Sequence, residues 1–183
     1  LAVRMQIDAH GQKIGHRFVR GLMKSPASLH YQEVQAAMDG APNEKVAPLM
    51  EEVIRPLYAA YDALCDARAA RQPLDLDLPE RKVVLSEEGE VLSVNFTERL
   101  DAHRLIEEFM ILANVAAAET LLAKKSPLLL RVHEEPAPEK LDALREVAET
   151  AGLSLAKGQG LKTMHLNRLL KAAEGTDHAD ARA

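Results

Sequence analysis

The sequence has no tryptophan, three tyrosines, three phenylalanines and one cysteine in 183 residues. Each shortage excludes something. With Cys65 as the sole thiol no internal disulfide can form, which fits a reducing, cytoplasmic setting. Aromatic residues make up only 3% of the chain, leaving few of the flat platforms on which single-stranded nucleic acid usually stacks. No apolar run approaches the roughly 18 to 20 residues of a membrane span, so no membrane partner is expected. The formal net charge is −5, so the chain as a whole does not attract a polyanion and any nucleic-acid site has to be local. Motifs are scarce too. There is no HExxH, GxSxG, P-loop or GxGxxG, and "GQG" at 158 to 160 is too short to carry meaning. "TDHAD" at 176 to 180 falls in a terminus expected to be loose, so no metal ligands are assigned to this chain, and no complete catalytic set is found in it.

What is present is a 47% hydrophobic, 28% charged sequence of ordinary globular character, long enough to bury roughly 70% of its unfolded surface in one core. "LAVRMQID", "AHGQ" and "KIGHRFVRGLM" read as a β-hairpin over the first 24 residues. A short helix is expected from Tyr31 to a stop at Gly40, then helical periodicity from Asn43, a plausible N-cap, with Pro56 forcing a bend or break. "KVVLS" and "EVLSVNF" flank an "EEG" turn and predict a second hairpin. A long helix follows over Arg99 to Lys125. "PLLLRVH" suggests a short buried strand, and helices are expected over "APEKLDALREVAETAG" and "LKTMHLNRLLKAAEG". Two hairpins, a short strand and about five helices in this order make an α+β fold. The chain opens inside an alternating strand and closes inside a helical pattern, so it is expected to be an internal piece of something longer.

The long helix poses the main question. His103, Glu107, Met110 and Asn114 share one stripe, and Asp101, Arg104, Glu108, Ile111 and Val115 the next. From Phe109 to Ala118 only Asn114 is polar, which predicts an enclosed helix with the asparagine as a tie. On spacing alone the acids form i,i+4 pairs, Arg104 with Glu108 and His103 with Glu107, worth a few tenths of a kcal/mol. The alternative is a rigid carboxylate at a channel wall, accepting a hydrogen bond from a substrate hydroxyl. Arg17, Arg20 and Lys24 lie close in sequence to Tyr31, either a solvated strand face or a basic patch with a phenol suited to phosphate and ribose.

"ERLDAHRLIEEFMILANVAAAE", preceded by "LDLDLPE" and followed by "LLRVHEEPAPEKLDALREVAETAGL", resembles the catalytic domain of the RNase II and RNase R family of exoribonucleases, nearest its bacterial RNase R branch. "HRFVRGLMKSPASLHYQEVQAAMDG" is similar to the family's "RSxARLTYxxV" stretch, so the resemblance spans residues 1–183, and "HRLIEEFMILAN" is its specific part. The resemblance implies a processive 3′-to-5′ hydrolase that threads single-stranded RNA into a channel and releases nucleoside 5′-monophosphates, with Mg²⁺ activating water. It implies no obligate protein partner. The family's metal-binding aspartates, in a DxxDFDDA-type cluster, and its "TSPIRRY" stretch have no counterpart here, nor do its OB-type RNA-binding domains. The chain would therefore form part of the RNA-channel wall and be inactive alone. By resemblance Tyr31 matches a tyrosine that helps tell RNA from DNA, and Glu107 or Glu108 matches a glutamate of similar role. The stripe shared with Asn114 favours Glu107; the sequence leaves the choice open. Two departures stand out: Leu76 replaces a base-stacking phenylalanine of many relatives, and His30 replaces the threonine before the tyrosine. The competing reading is a non-catalytic helical interaction module or a regulatory relative, which acidic charge and few aromatics suit equally.

Overall fold

The computed structural model describes residues 1–74, 76, 80–97, 99–155 and 162–173. Two compact units emerge, Leu1–Ala70 with Arg81–Leu130, and Arg71–Glu80 with Arg131–Ala183.

The first unit begins with the expected hairpin. Strands β1 (Ala2–Ile7) and β2 (Lys13–Val19) pair antiparallel, Ala2 opposite Val19 and Gln6 opposite Gly15, before a bulge brings Ile7 opposite Lys13. Asp8 builds the turn, its Oδ1 accepting from the backbone N–H groups of His10 and Gln12 at 2.9 and 2.8 Å. Gly11 has φ +71° and is buried; a Cβ there would sit 2.0 Å from the Ala63 carbonyl oxygen. Only glycine allows the hairpin tip so close to that backbone.

Helix α1 (Tyr31–Met38) ends near Gly40, whose φ of +100° supplies the left-handed stop. Asn43 does not cap a helix as expected: its Oδ1 accepts from Lys45 and Val46 N–H at 3.1 and 2.9 Å and closes a turn, and the helical run starts only after Val46. The bend expected at Pro56 is resolved into three segments. A 3-10 turn (Ala47–Leu49) and a π turn (Met50–Ile54) run into α2 (Arg55–Arg71), where Pro56 occupies the first turn. Pro56 has no N–H to continue the ladder, and the residues just before it take the wider π turn, with Arg55 N–H bonded back to Met50 O. Strands β3 (Glu80–Leu85) and β4 (Val91–Thr97) form the second hairpin, closed by Ser86 N–H to Glu90 O at 2.8 Å. Helix α3 (Asp101–Ala123) follows. The core gathers Ala37, Val46, Met50, Ile54, Tyr58, Tyr61 and Leu105, from α1, the turns, α2 and α3. Burial raises the pKa values of the Tyr58 and Tyr61 phenols above their ordinary range.

The second unit contains α4 (Pro138–Thr150), stopped by Gly152 at φ +72°, and α5 (Thr163–Ala173). Asn167 of α5 donates to the Pro73 carbonyl at 2.8 Å.

This architecture is α+β. Two further expectations fail. Pro127–His133 makes no strand, and Leu129, 99% exposed, is not buried: among the described residues no neighbouring strand satisfies that backbone. The middle of α3 is not enclosed either. Met110, Ile111, Asn114 and Val115 are exposed, and among the described residues nothing covers that face or bonds Asn114. The "TDHAD" and "GQG" stretches lie outside the described residues.

Candidate nucleic-acid interface

The site is built where α1 meets the first turn of α3. Tyr31 is the first residue of α1, after the extended His30. Glu33, the third residue of the helix, reaches back to accept the His30 N–H at 2.8 Å and takes Lys45 Nζ at 3.1 Å. That backbone hydrogen bond first, and Lys45 second, hold the Glu33 carboxyl below its ordinary pKa range.

The start of α3 is arranged in the same way. Leu100 precedes the helix and has no side-chain acceptor, so the exposed donors of the first turn are met from elsewhere. His103 Nδ1 accepts the Leu100 N–H at 3.2 Å, and Gln35 Oε1 of α1 accepts the Ala102 N–H at 3.1 Å. Tyr31 and Gln35 are one turn apart and share a face of α1. Beside the Gln35 contact, the Tyr31 ring stacks on His103, centroids 4.2 Å apart and planes at 29°. Tyr31 stays 43% exposed.

The adjacent glutamates have opposite surroundings. Glu107 follows His103 by one turn on the same face, is 40% exposed, and pairs through Oε2 with Arg99. Glu108 is 4% exposed, and its Oε1 accepts from Arg68 of α2 at 2.6 Å. The local pairs expected from spacing are thus replaced by longer-range ones. Arg99 comes from the segment before α3 and Arg68 from another helix, partners that i,i+4 counting within one helix does not reach. Arg104 lies 4.0 Å from Asp101.

The basic patch expected near Tyr31 is looser. Arg17, Arg20 and Lys24 are exposed on β2 and the loop after it, and among the described residues no contact joins them to the phenol. Leu76 is described and is 44% exposed, while its neighbours Asp75 and Asp77 lie outside the described residues. Among the described residues no three His, Cys, Asp or Glu side chains gather as a metal would require. No helix among the described residues is long and apolar enough to cross a membrane.

The RNB domain family matches residues 1–182. The chain belongs to the RNB domain family. Ribonuclease R of Escherichia coli K12 is 32% identical over 183 residues, covering 99% of this RNB chain and 22% of that protein. Ribonuclease R of Aquifex aeolicus is 33% identical over 174 residues, covering 94% and 25%. The fold agrees with that of Mycoplasma genitalium RNase R in complex with ribose-methylated single-stranded RNA, at a TM-score of 0.83 and 20% identity, over 97% of this chain and 28% of that one. The RNB chain thus spans about a quarter of the length of these relatives.

Sequence reasoning named Tyr31, Glu107 and Glu108 but missed Gln35, Arg68 and Arg99. Their partners lie in other elements or beyond the helix start, and no local spacing announces them. The signal available for His103 was its position three residues after Leu100, which allows a side chain at N3 to reach back.

Proposed function

We propose that this chain is part of the catalytic domain of a processive 3′-to-5′ exoribonuclease, a cytoplasmic enzyme that hydrolyses single-stranded or structured RNA to nucleoside 5′-monophosphates. Membership of the RNB family and the match to ribonuclease R over nearly the whole chain support this reading. In it, residues 1–183 are a partial domain forming RNA-channel wall. Mg²⁺, which would activate the attacking water, is held by residues outside this chain. No obligate protein partner is required.

The observation that carries the local part is the half-open Tyr31 stacked on His103, with Glu107 half open one turn further along α3 and Glu108 turned onto Arg68. Tyr31 and Glu107 read the ribose 2′-hydroxyl. That group donates its one proton to the Glu107 carboxylate, which only accepts, and its oxygen accepts from the Tyr31 hydroxyl. Arg99 holds one carboxylate oxygen and thereby orients the other. DNA offers no hydroxyl, and a polar site left without its partner disfavours the analogue. Glu108 serves packing between α2 and α3.

The test compares this 183-residue chain with a longer protein that includes the preceding coding sequence, each with labelled RNA and Mg²⁺. Mononucleotides are expected from the longer protein and none from the chain alone. Release by the short chain would contradict the partial-domain reading. Inactivity of both would favour a non-catalytic relative.

A further inference from the structure

We infer that His103 is a positioning residue for RNA selection: it holds Tyr31 ready to read the ribose before any strand arrives. This rests on the reading of Tyr31 proposed above and deepens it.

The His103 ring is fixed at both ends of its side chain. Its Cβ belongs to the third residue of α3, and its Nδ1 accepts the Leu100 N–H at 3.2 Å, which sets the rotation of the ring. A neutral ring with Nδ1 as acceptor carries its proton on Nε2. Tyr31 then lies against this fixed plane at 4.2 Å. The backbone beneath is tied too, because Gln35, one turn after Tyr31, accepts the N–H of Ala102, the residue before His103. Two adjacent residues of α3 therefore grip two positions on one face of α1.

Two consequences follow for the phenol. Its freedom of rotation is spent on folding rather than on binding, which removes an ordering cost from the bound state. One face of its ring is also covered. A nucleotide meets the hydroxyl edge and the opposite face, so Tyr31 acts through its hydroxyl as a reader of the sugar. It does not act as a two-sided base platform.

The His103 ring has two separable features, the flat surface under Tyr31 and the acceptor for Leu100. His103→Asn keeps an acceptor where Nδ1 stands and removes the ring. His103→Phe keeps the ring and removes the acceptor. The experiment measures kcat/KM for RNA and for the matching DNA in the longer protein, with thermal stability recorded for each variant and Tyr31→Ala as the reference. His103→Asn is expected to lower the RNA-to-DNA ratio about five- to tenfold with its Tm nearly unchanged. His103→Phe is expected to restore the ratio even where its Tm falls. If Tyr31→Ala lowers the ratio but His103→Asn leaves it intact, the positioning role is overturned and the reading of Tyr31 survives. If His103→Phe loses the ratio as fully as Asn does, stacking is not what positions the phenol. If Tyr31→Ala itself leaves the ratio unchanged, both ideas fall.

Discussion

At the scale of single residues, the main lesson is that neighbours in sequence do unlike work. Glu107 and Glu108 are chemically identical, yet one is half open beside Arg99 and the other closed over Arg68. The difference of about 100° between successive positions on a helix is enough. Glu33 gives a second residue-scale case, because its carboxylate secures the backbone just ahead of Tyr31. Its pKa is depressed in the folded protein, so its contribution is fully present above the ordinary carboxylate range and is lost as pH falls through the lowered value. Stability measured from about pH 6 down to about pH 3 should therefore decline in part through Glu33. Glu33→Gln, which keeps an acceptor but not the charge, should flatten that part of the profile. An unchanged acid limb in the variant would show that Glu33 does not carry it.

At the scale of elements, both hairpins and the five helices were foreseeable from periodicity and from punctuation by Gly11, Gly40 and Gly152. What failed was burial. Apolar runs such as "PLLLRVH" and the middle of α3 predict covering partners, and a sequence pattern cannot say whether the partner lies within the same 183 residues. Exposed Met110, Ile111 and Val115 are what such a run becomes when the described chain offers nothing to pack on it. The hairpin tip shows the reverse, a close approach that no periodicity predicts. Gly11→Ala places a methyl against the Ala63 carbonyl in a left-handed backbone and should cost about 2–4 kcal/mol. Gly40→Ala meets open space at φ +100° and should cost only the backbone part, about 1–2 kcal/mol. Chemical denaturation of the two variants checks this, and equal losses would mean that the hairpin does not sit tightly on α2.

At the scale of the whole molecule, the candidate site was half legible. The residues that touch RNA in the proposed reading, Tyr31 and Glu107, came from a resemblance concentrated in "HRLIEEFMILAN". Their coupling did not, since it depends on α1 lying against the start of α3 through Gln35 and His103, a contact made only on folding. In the proposed reading, selection for ribose lies on the exposed face of α3 and packing lies on the buried one. The most direct measurement is the RNA-to-DNA ratio of kcat/KM, with thermal stability, for Glu107→Gln and Glu108→Gln in the longer protein. Glu107→Gln should lower the ratio at least about tenfold, a loss of about 1.4 kcal/mol of discrimination, with little change in Tm. Glu108→Gln should weaken the Arg68 pair by about 1–3 kcal/mol and lower Tm while keeping the ratio. A ratio that falls for Glu108→Gln and holds for Glu107→Gln would contradict the account.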